Sequence, residues 1–273
     1  MKALTNKKKK MKIEEIQSSV KEILSKEYPF TEKEICGRML HLVDLTTLDG
    51  ADTKGKVEGL CQKAIRYQTA AVCVYPYYAS LVKDALKGTS IRTACVAGGF
   101  PASQLPLNVK LHEVEQTLED GADEIDMVIS QGAFLEGDYK RVGDEVDAIK
   151  RLCGKHRLKV ILETGTLQTP ENIEKASRIA IENGADFIKT STGKTPVSAT
   201  LEAVYVMANV IKKYESQGLK IGIKPAGGIS TVESAIPYFK LVWSVLGREW
   251  INPLYFRIGA SRLADALHAE TQD

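Results

Sequence analysis

Histidine is scarce in this sequence. His41, His112, His156 and His268 are the four in 273 residues. They form no HxH or HExxH pattern, which disfavours a metal-dependent mechanism. The cysteines cannot build a disulfide frame. Cys36, Cys61, Cys73, Cys95 and Cys153 are odd in number and never spaced CxxC, which reads as reduced thiols of a cytoplasmic protein. No run approaches the ~20 apolar residues of a membrane span. No apolar h-region follows the first residues, so neither a signal peptide nor a membrane partner is expected. Charge of one sign is not in bulk excess either: the formal net charge is +2, which gives no support to nucleic-acid binding. The exception is local. Lys7-Lys8-Lys9-Lys10 makes residues 1–12 read as a solvated, flexible basic arm.

What is present is an alternation. Hydrophobic residues make up 44% and charged ones 26%, enough for a sizeable core. Short β-branched runs alternate with amphipathic stretches, as parallel α/β folds require. The strand candidates are 40–45, 71–74, 92–97, 124–129, 158–163, 187–189, 220–224 and 255–258. Helical patterns fall between them at 54–67, 111–119, 139–152, 169–182, 200–214 and 231–246. Thr169 followed by Pro170 marks one helix start. Eight strand–helix units in a chain near the usual size of about 250 residues favour a (β/α)8 TIM barrel over an open sheet. Two further segments precede the first strand: amphipathic 13–26, and a short helix opened by the capping-box pattern Thr31-Glu32-Lys33-Glu34. These additional N-terminal helices are expected to cover the N-terminal mouth. No linker divides the chain, so 13–273 reads as one domain.

Two lysines carry most of the chemistry. Lys189 closes the sixth strand candidate and Lys224 the seventh, 35 residues apart. Neighbouring parallel strands bring both amines to one rim. An amine forced beside a second cation loses proton affinity and can act as a neutral nucleophile, which Schiff-base chemistry requires. In such barrels the active site lies at the C-terminal strand ends. The polar residues gathered there are Asp44, Thr46, Thr47, Cys73, Asp126, Glu163, Thr164, Lys189, Thr190, Lys224 and Ser261. Glu124 shares a strand face with Asp126. Three glycine-bearing turns follow the last three strands: Ser191-Thr192-Gly193-Lys194, Pro225-Ala226-Gly227-Gly228 and Gly259-Ala260-Ser261-Arg262. Backbone N–H groups there can cradle phosphate, with Lys194 and Arg262 supplying charge.

Four stretches carry a family resemblance: Asp44-Leu45-Thr46-Thr47-Leu48, Gly121-Ala122-Asp123-Glu124-Ile125-Asp126, the eleven residues from Gly184 to Lys194, and Lys224-Pro225-Ala226-Gly227-Gly228. In order and spacing, from about Leu40 to Leu267, the chain resembles deoxyribose-phosphate aldolases. The resemblance implies a metal-independent class I aldolase without a cofactor. Its ligands would be a small phosphosugar, 2-deoxy-D-ribose 5-phosphate, and acetaldehyde. It also assigns roles. Lys189 falls on the Schiff-base lysine, Lys224 on the lysine that perturbs it and helps move protons, and Asp126 on the proton-relaying acid. Asp44, Cys73 and Thr190 fall on pocket positions. Gly193, Lys194, Gly227, Gly228, Gly259 and Ser261 fall on the phosphate cradle. Two departures stand out. Ser230 occupies a position where many bacterial members carry arginine, and Ser261-Arg262 replaces Ser-Ser, so Arg262 is the candidate substitute for the missing charge. Some members also end on a tyrosine that assists proton transfer. None follows Tyr255 here, so either Asp126 and water move protons or turnover is slower. Barrel outer helices serve monomers and homodimers alike, so a homodimer is compatible with the sequence.

Overall fold

The computed structural model describes residues 12–272; the Lys7–Lys10 run lies outside them. Helices α1 (Ile13–Ser25) and α2 (Glu32–Leu40) precede β1 (Val43–Thr46). There follow α3 (Lys54–Tyr67), β2 (Ala71–Val74), α4 (Ala79–Ala85), β3 (Arg92–Val96), α5 (Leu107–Glu119), β4 (Glu124–Val128), α6 (Gln131–Leu135) and α7 (Tyr139–Cys153). The second half comprises β5 (Arg157–Ile161), α8 (Thr164–Leu167), α9 (Pro170–Glu182), β6 (Phe187–Lys189), α10 (Leu201–Glu215), β7 (Gly222–Lys224), α11 (Val232–Leu246), β8 (Ile258–Ala260) and α12 (Leu263–Gln272).

The eight strands pair in parallel, in chain order from β1 to β7, with β8 beside β1. Bridges Ile223–Phe256 and Ala226–Gly259 bring β7 and β8 together and nearly close the barrel. The expected eighth strand, 255–258, is displaced toward the C-terminus. Tyr255 and Arg257 hydrogen-bond to Ile223, but regular pairing with β1 begins only at Ile258.

Strand alternation divides the interior. Val72, Val74, Cys95, Ile125, Val160, Ile188 and Ile223 face outward and join the large core shared with the helices. Inward-facing Ala71, Cys73, Ala94 and Val96 form a small separate cluster. That apolar half belongs to β2 and β3. Inward positions of β4 to β7 carry charge instead: Glu124, Asp126, Lys159, Lys189 and Lys224 are all buried there, beside apolar Val128, Ile161 and Phe187.

The capping box at Thr31 and Glu34 forms as its sequence pattern predicts, as does the Thr169 cap of α9. The N-terminal helices do not cover the N-terminal mouth. Helix α1 buries Ile16 and Val20 against α10 and α11, and α2 packs on α11 and α12. The hydroxyl of Tyr28, between them, donates to Lys240 O at 3.1 Å and bonds Ser244 Oγ at 2.6 Å on α11. An amphipathic stripe reveals that a helix has a face to bury, but not which neighbour receives it.

Candidate active site

Parallel register sets Lys189 of β6 directly beside Lys224 of β7. Their amines meet at one carboxylate oxygen: each donates to Asp126 Oδ2 at 2.8 Å. A third amine, Lys159 of β5, donates to Asp126 Oδ1 at 2.8 Å. It also lies 2.6 Å from Glu124 Oε2, one inward position lower on β4. Beneath Lys224 lies Asp44, its Oδ2 2.5 Å from that amine. Arg257 joins the two lower acids, reaching Asp44 at 2.6 Å and Glu124 at 2.8 Å. The result is a buried column of alternating charge running down the barrel.

The partners of the two lysines differ, and that difference ranks them. Burial pushes both amines toward the neutral form. Lys224 has two carboxylates, Asp126 and Asp44, which more than offset burial and raise its pKa. Lys189 has only Asp126, which it shares with two other ammoniums. Burial, reinforced by the Lys224 charge, lowers its pKa despite that carboxylate. Asp126 is held well below the usual carboxylate range: burial opposes ionisation, but Lys159, Lys189 and Lys224 outweigh it. Lys224 is therefore the persistent cation and Lys189 the amine most readily freed of its proton.

Lys189 also opens onto space. It lines a cleft of about 560 Å³ at the C-terminal strand ends, together with Thr46, Gly193, Gly227, Gly259 and Arg262. Lys194, Gly228 and Ser261 line the same cleft. Gly227 and Gly228 have φ of 85° and 79°, a left-handed backbone that favours glycine. A Cβ on Gly227 would also lie 2.6 Å from Ser198 Oγ. At Gly259 a Cβ would lie 2.8 Å from Ala226 Cβ and 3.2 Å from Lys224 Cε, so the missing side chain there makes room for the buried lysine.

Other candidates sit behind this lining. Cys73 is buried beside Ala71 and Ala94, and burial raises its thiol pKa, which suits a packing atom better than a nucleophile. Thr190 uses its hydroxyl to tie β6 to the β7 turn, donating to Ala226 O at 3.1 Å and accepting from Ala226 N at 2.9 Å. Glu163 accepts from Thr192 Oγ1 at 2.5 Å and Thr195 Oγ1 at 3.2 Å, bracing the loop that carries Gly193 and Lys194. The Lys194 amine donates to Leu48 O, across the cleft.

Three cations of the site are not among the residues that sequence pattern singles out. Lys159 and Arg257 lie in mid-column, not at strand ends, and Lys56 lines the cleft from α3, paired with Asp52 at 2.5 Å. A signal for the first two existed: a single charge inside the apolar runs Leu158-Lys159-Val160-Ile161-Leu162 and Phe256-Arg257-Ile258. A charge there must be buried with a partner. Among the described residues no group of three His, Cys, Asp or Glu side chains is arranged to hold a metal ion. No helix among them is long and apolar enough to cross a membrane.

Comparison with known proteins agrees with this geometry. Residues 38–239 match the model of the DeoC/LacD family aldolases. A Caenorhabditis elegans relative is 48% identical over 238 residues, covering 84% of this chain and 78% of its own. The human deoxyribose-phosphate aldolase is 45% identical over 240 residues, 81% of this chain and 76% of its own. Among solved structures, the tetrameric deoxyribose phosphate aldolase of Aeropyrum pernix superposes with a TM-score of 0.71. It is 25% identical, over 93% of this chain and 97% of its own. With the match extending through the strands that carry Asp44, Asp126, Lys159, Lys189 and Lys224, this chain belongs to the DeoC/LacD family of aldolases.

Proposed function

We propose that this chain reversibly cleaves 2-deoxy-D-ribose 5-phosphate to D-glyceraldehyde 3-phosphate and acetaldehyde through a Schiff base on Lys189, in cytoplasmic deoxyribonucleoside catabolism. The observation that carries this reading is the pair of amines on one Asp126 oxygen, of which Lys189 alone faces the cleft. Neutral Lys189 Nζ attacks C1 of the open-chain aldehyde, and the carbinolamine loses water to give a protonated imine. The C3 hydroxyl then gives up its proton, the C2–C3 bond breaks, and its electron pair flows into the iminium as an enamine. D-Glyceraldehyde 3-phosphate leaves. Protonation of the enamine at C2 and hydrolysis release acetaldehyde and restore the amine.

Each transfer needs a proton carrier, and general acid–base help of this kind typically contributes a factor of about 10² to 10⁴. Asp126 touches Lys189, Lys224 and Lys159 at once. Held ionised, it is a weak base alone. It is suited instead to pass protons between these amines and water, and to stabilise the iminium charge. Lys224 serves as the standing cation that keeps Lys189 nucleophilic.

Borohydride reduction of the protein with acetaldehyde should give a stable adduct. Peptide mapping should find the added mass on Lys189. Absence of any adduct, with phosphosugar binding intact, would mean a binding protein that has kept the pocket without the chemistry.

The phosphate end of the substrate is assigned to the turns bearing Gly193, Lys194, Gly227, Gly228, Gly259 and Ser261, with Arg262 in place of the absent arginine at Ser230. Changing Arg262 to alanine should raise KM for deoxyribose 5-phosphate by about tenfold or more, the loss expected of a charge-assisted hydrogen bond. The KM for unphosphorylated deoxyribose should barely move. Equal effects on the two sugars would place Arg262 outside the phosphate grip.

A further inference from the structure

The opposite end of the barrel holds a second concentration of charge that the aldol reaction does not use. Arg92 of β3, Arg157 of β5 and Arg257 just before β8 line one open cavity of about 610 Å³ at the N-terminal mouth. His41 and Ser90 stand at its wall. Three guanidiniums in one mouth require compensating anions, and the protein supplies few. Arg257 is fully engaged: Nη1 bonds Asp44 at 2.6 Å, Nη2 bonds Glu124 at 2.8 Å, and Nε donates to Pro253 O at 2.5 Å. Arg157 uses only Nη1, on Glu124 at 2.6 Å. Its other nitrogens, and the whole guanidinium of exposed Arg92, have no protein acceptor among the described residues.

The nearest surface acids, Asp123 and Asp186, border the adjoining cleft, but their carboxylates are engaged by lysines and by the Thr93 and Leu158 amides and make no hydrogen bond to Arg92 or Arg157. Asp123 meets Lys83 at 2.7 Å, and Asp186 meets Lys150 at 2.7 Å. The adjoining cleft, which Arg92 and Arg157 also line, is mixed in charge: Lys155 and His156 stand there with Asp123, Glu124 and Asp186. Nor is Arg92 needed to neutralise Glu124, which already has Arg157, Arg257 and Lys159. Arg157 is also fixed in advance. Its guanidinium carbon lies 5.5 Å from the ring centroid of Phe187, and that of Arg257 lies 5.9 Å from the same ring. A guanidinium oriented beforehand, beside a second with all its donors free, suits a multiply charged tetrahedral oxyanion better than a lone carboxylate.

We infer that the N-terminal mouth is a second anion site, separate from the catalytic cleft, which takes a small phosphate-class anion such as pyrophosphate or a phosphate monoester between Arg92 and Arg157. Its position links it to the reactive amine. Glu124 touches Arg157, Lys159 touches Glu124 and Asp126, and Asp126 touches Lys189. An anion at the mouth therefore sits at the far end of the column that ends at Lys189.

Calorimetric titration of the full chain with pyrophosphate tests the inference. Arg92→Gln should weaken one binding component by about tenfold or more, and whatever component survives belongs to the cleft. Because Arg92 is exposed, the variant should keep its thermal midpoint. Arg92→Lys, which keeps the charge but loses the planar fork, should weaken that component by a smaller factor, and it decides the matter if the glutamine variant fails to fold. Isotherms for these variants that superpose on that of the wild type would overturn the inference.

Discussion

Replacing Lys189 with methionine should lower turnover of deoxyribose 5-phosphate by at least about 10⁴-fold, because the other two amines lining the cleft are engaged, Lys56 by Asp52 and Lys194 by Leu48 O, and neither shares the Asp126 and Lys224 contacts that prepare Lys189. Lys224, which shares Asp126 Oδ2 with Lys189, is buried and held as a cation by Asp126 and Asp44. The same methionine variant should yield no borohydride adduct. A retro-aldol assay coupled to glyceraldehyde 3-phosphate consumption measures the first effect and mass spectrometry the second. Turnover within tenfold of the wild type would remove Lys189 from the mechanism. The contrast with Lys224→Met is informative. That change removes the cation that depresses the Lys189 pKa and leaves Asp126 with one fewer ammonium. Both consequences raise the proton affinity of Lys189, so the acid limb of the pH–rate profile should move to higher pH. A limb that moved to lower pH, or stayed in place, would contradict the assigned order of the two lysines.

The residues at the top of the column were legible for a simple reason. Lys189 and Lys224 close their strands, where barrel geometry directs attention, and Asp126, though mid-strand on β4, stands within a glycine-led motif of the family pattern. Lys159 and Arg257 occupy mid-strand and pre-strand positions, and a linear sequence does not say which inward residues share a layer. That depends on register. Asp126 stands opposite Lys159 across β4 and β5, and Lys189 opposite Lys224 across β6 and β7. Only that stagger stacks the charges into a column. The placement of α1 and α2 was illegible for a related reason: their apolar stripes fit any groove of similar width, and the groove beside α11 is set by tertiary packing. The strand count followed directly from alternation, while the edge of β8 did not. Tyr255 and Arg257, just before it, hydrogen-bond across the closing seam to Ile223, and regular pairing with β1 begins only at Ile258.

The lower half of that column has a consequence for stability. Glu124 is buried among Arg157, Lys159 and Arg257. Glu124→Gln keeps the shape but leaves those cations without their shared anion, and breaking such a buried pair typically costs about 3–5 kcal/mol. For a chain of this size that corresponds to a fall in Tm of the order of 10 °C. The pH dependence gives a sharper test. Burial works against the ionised carboxylate, but Lys159 and Arg257 prevail, holding its pKa at about 2 against an ordinary value of 4.5. A depressed carboxylate pKa stabilises the fold above the unfolded value, and that contribution is lost as pH falls through the folded one. The wild type should therefore lose this contribution progressively between about pH 4.5 and pH 2. Glutamine has no proton to take up, so the gap in unfolding free energy between the two proteins should narrow over that window. Denaturant unfolding at a series of pH values measures the gap directly. A loss below about 1 kcal/mol at neutral pH, the scale of an exposed ion pair, would mean that water reaches these groups and that the column is not the desolvated network its geometry describes. A gap that stayed constant down to pH 2 would mean that Glu124 takes up its proton no later in the folded protein than in the unfolded chain, and that the surrounding cations do not hold it ionised.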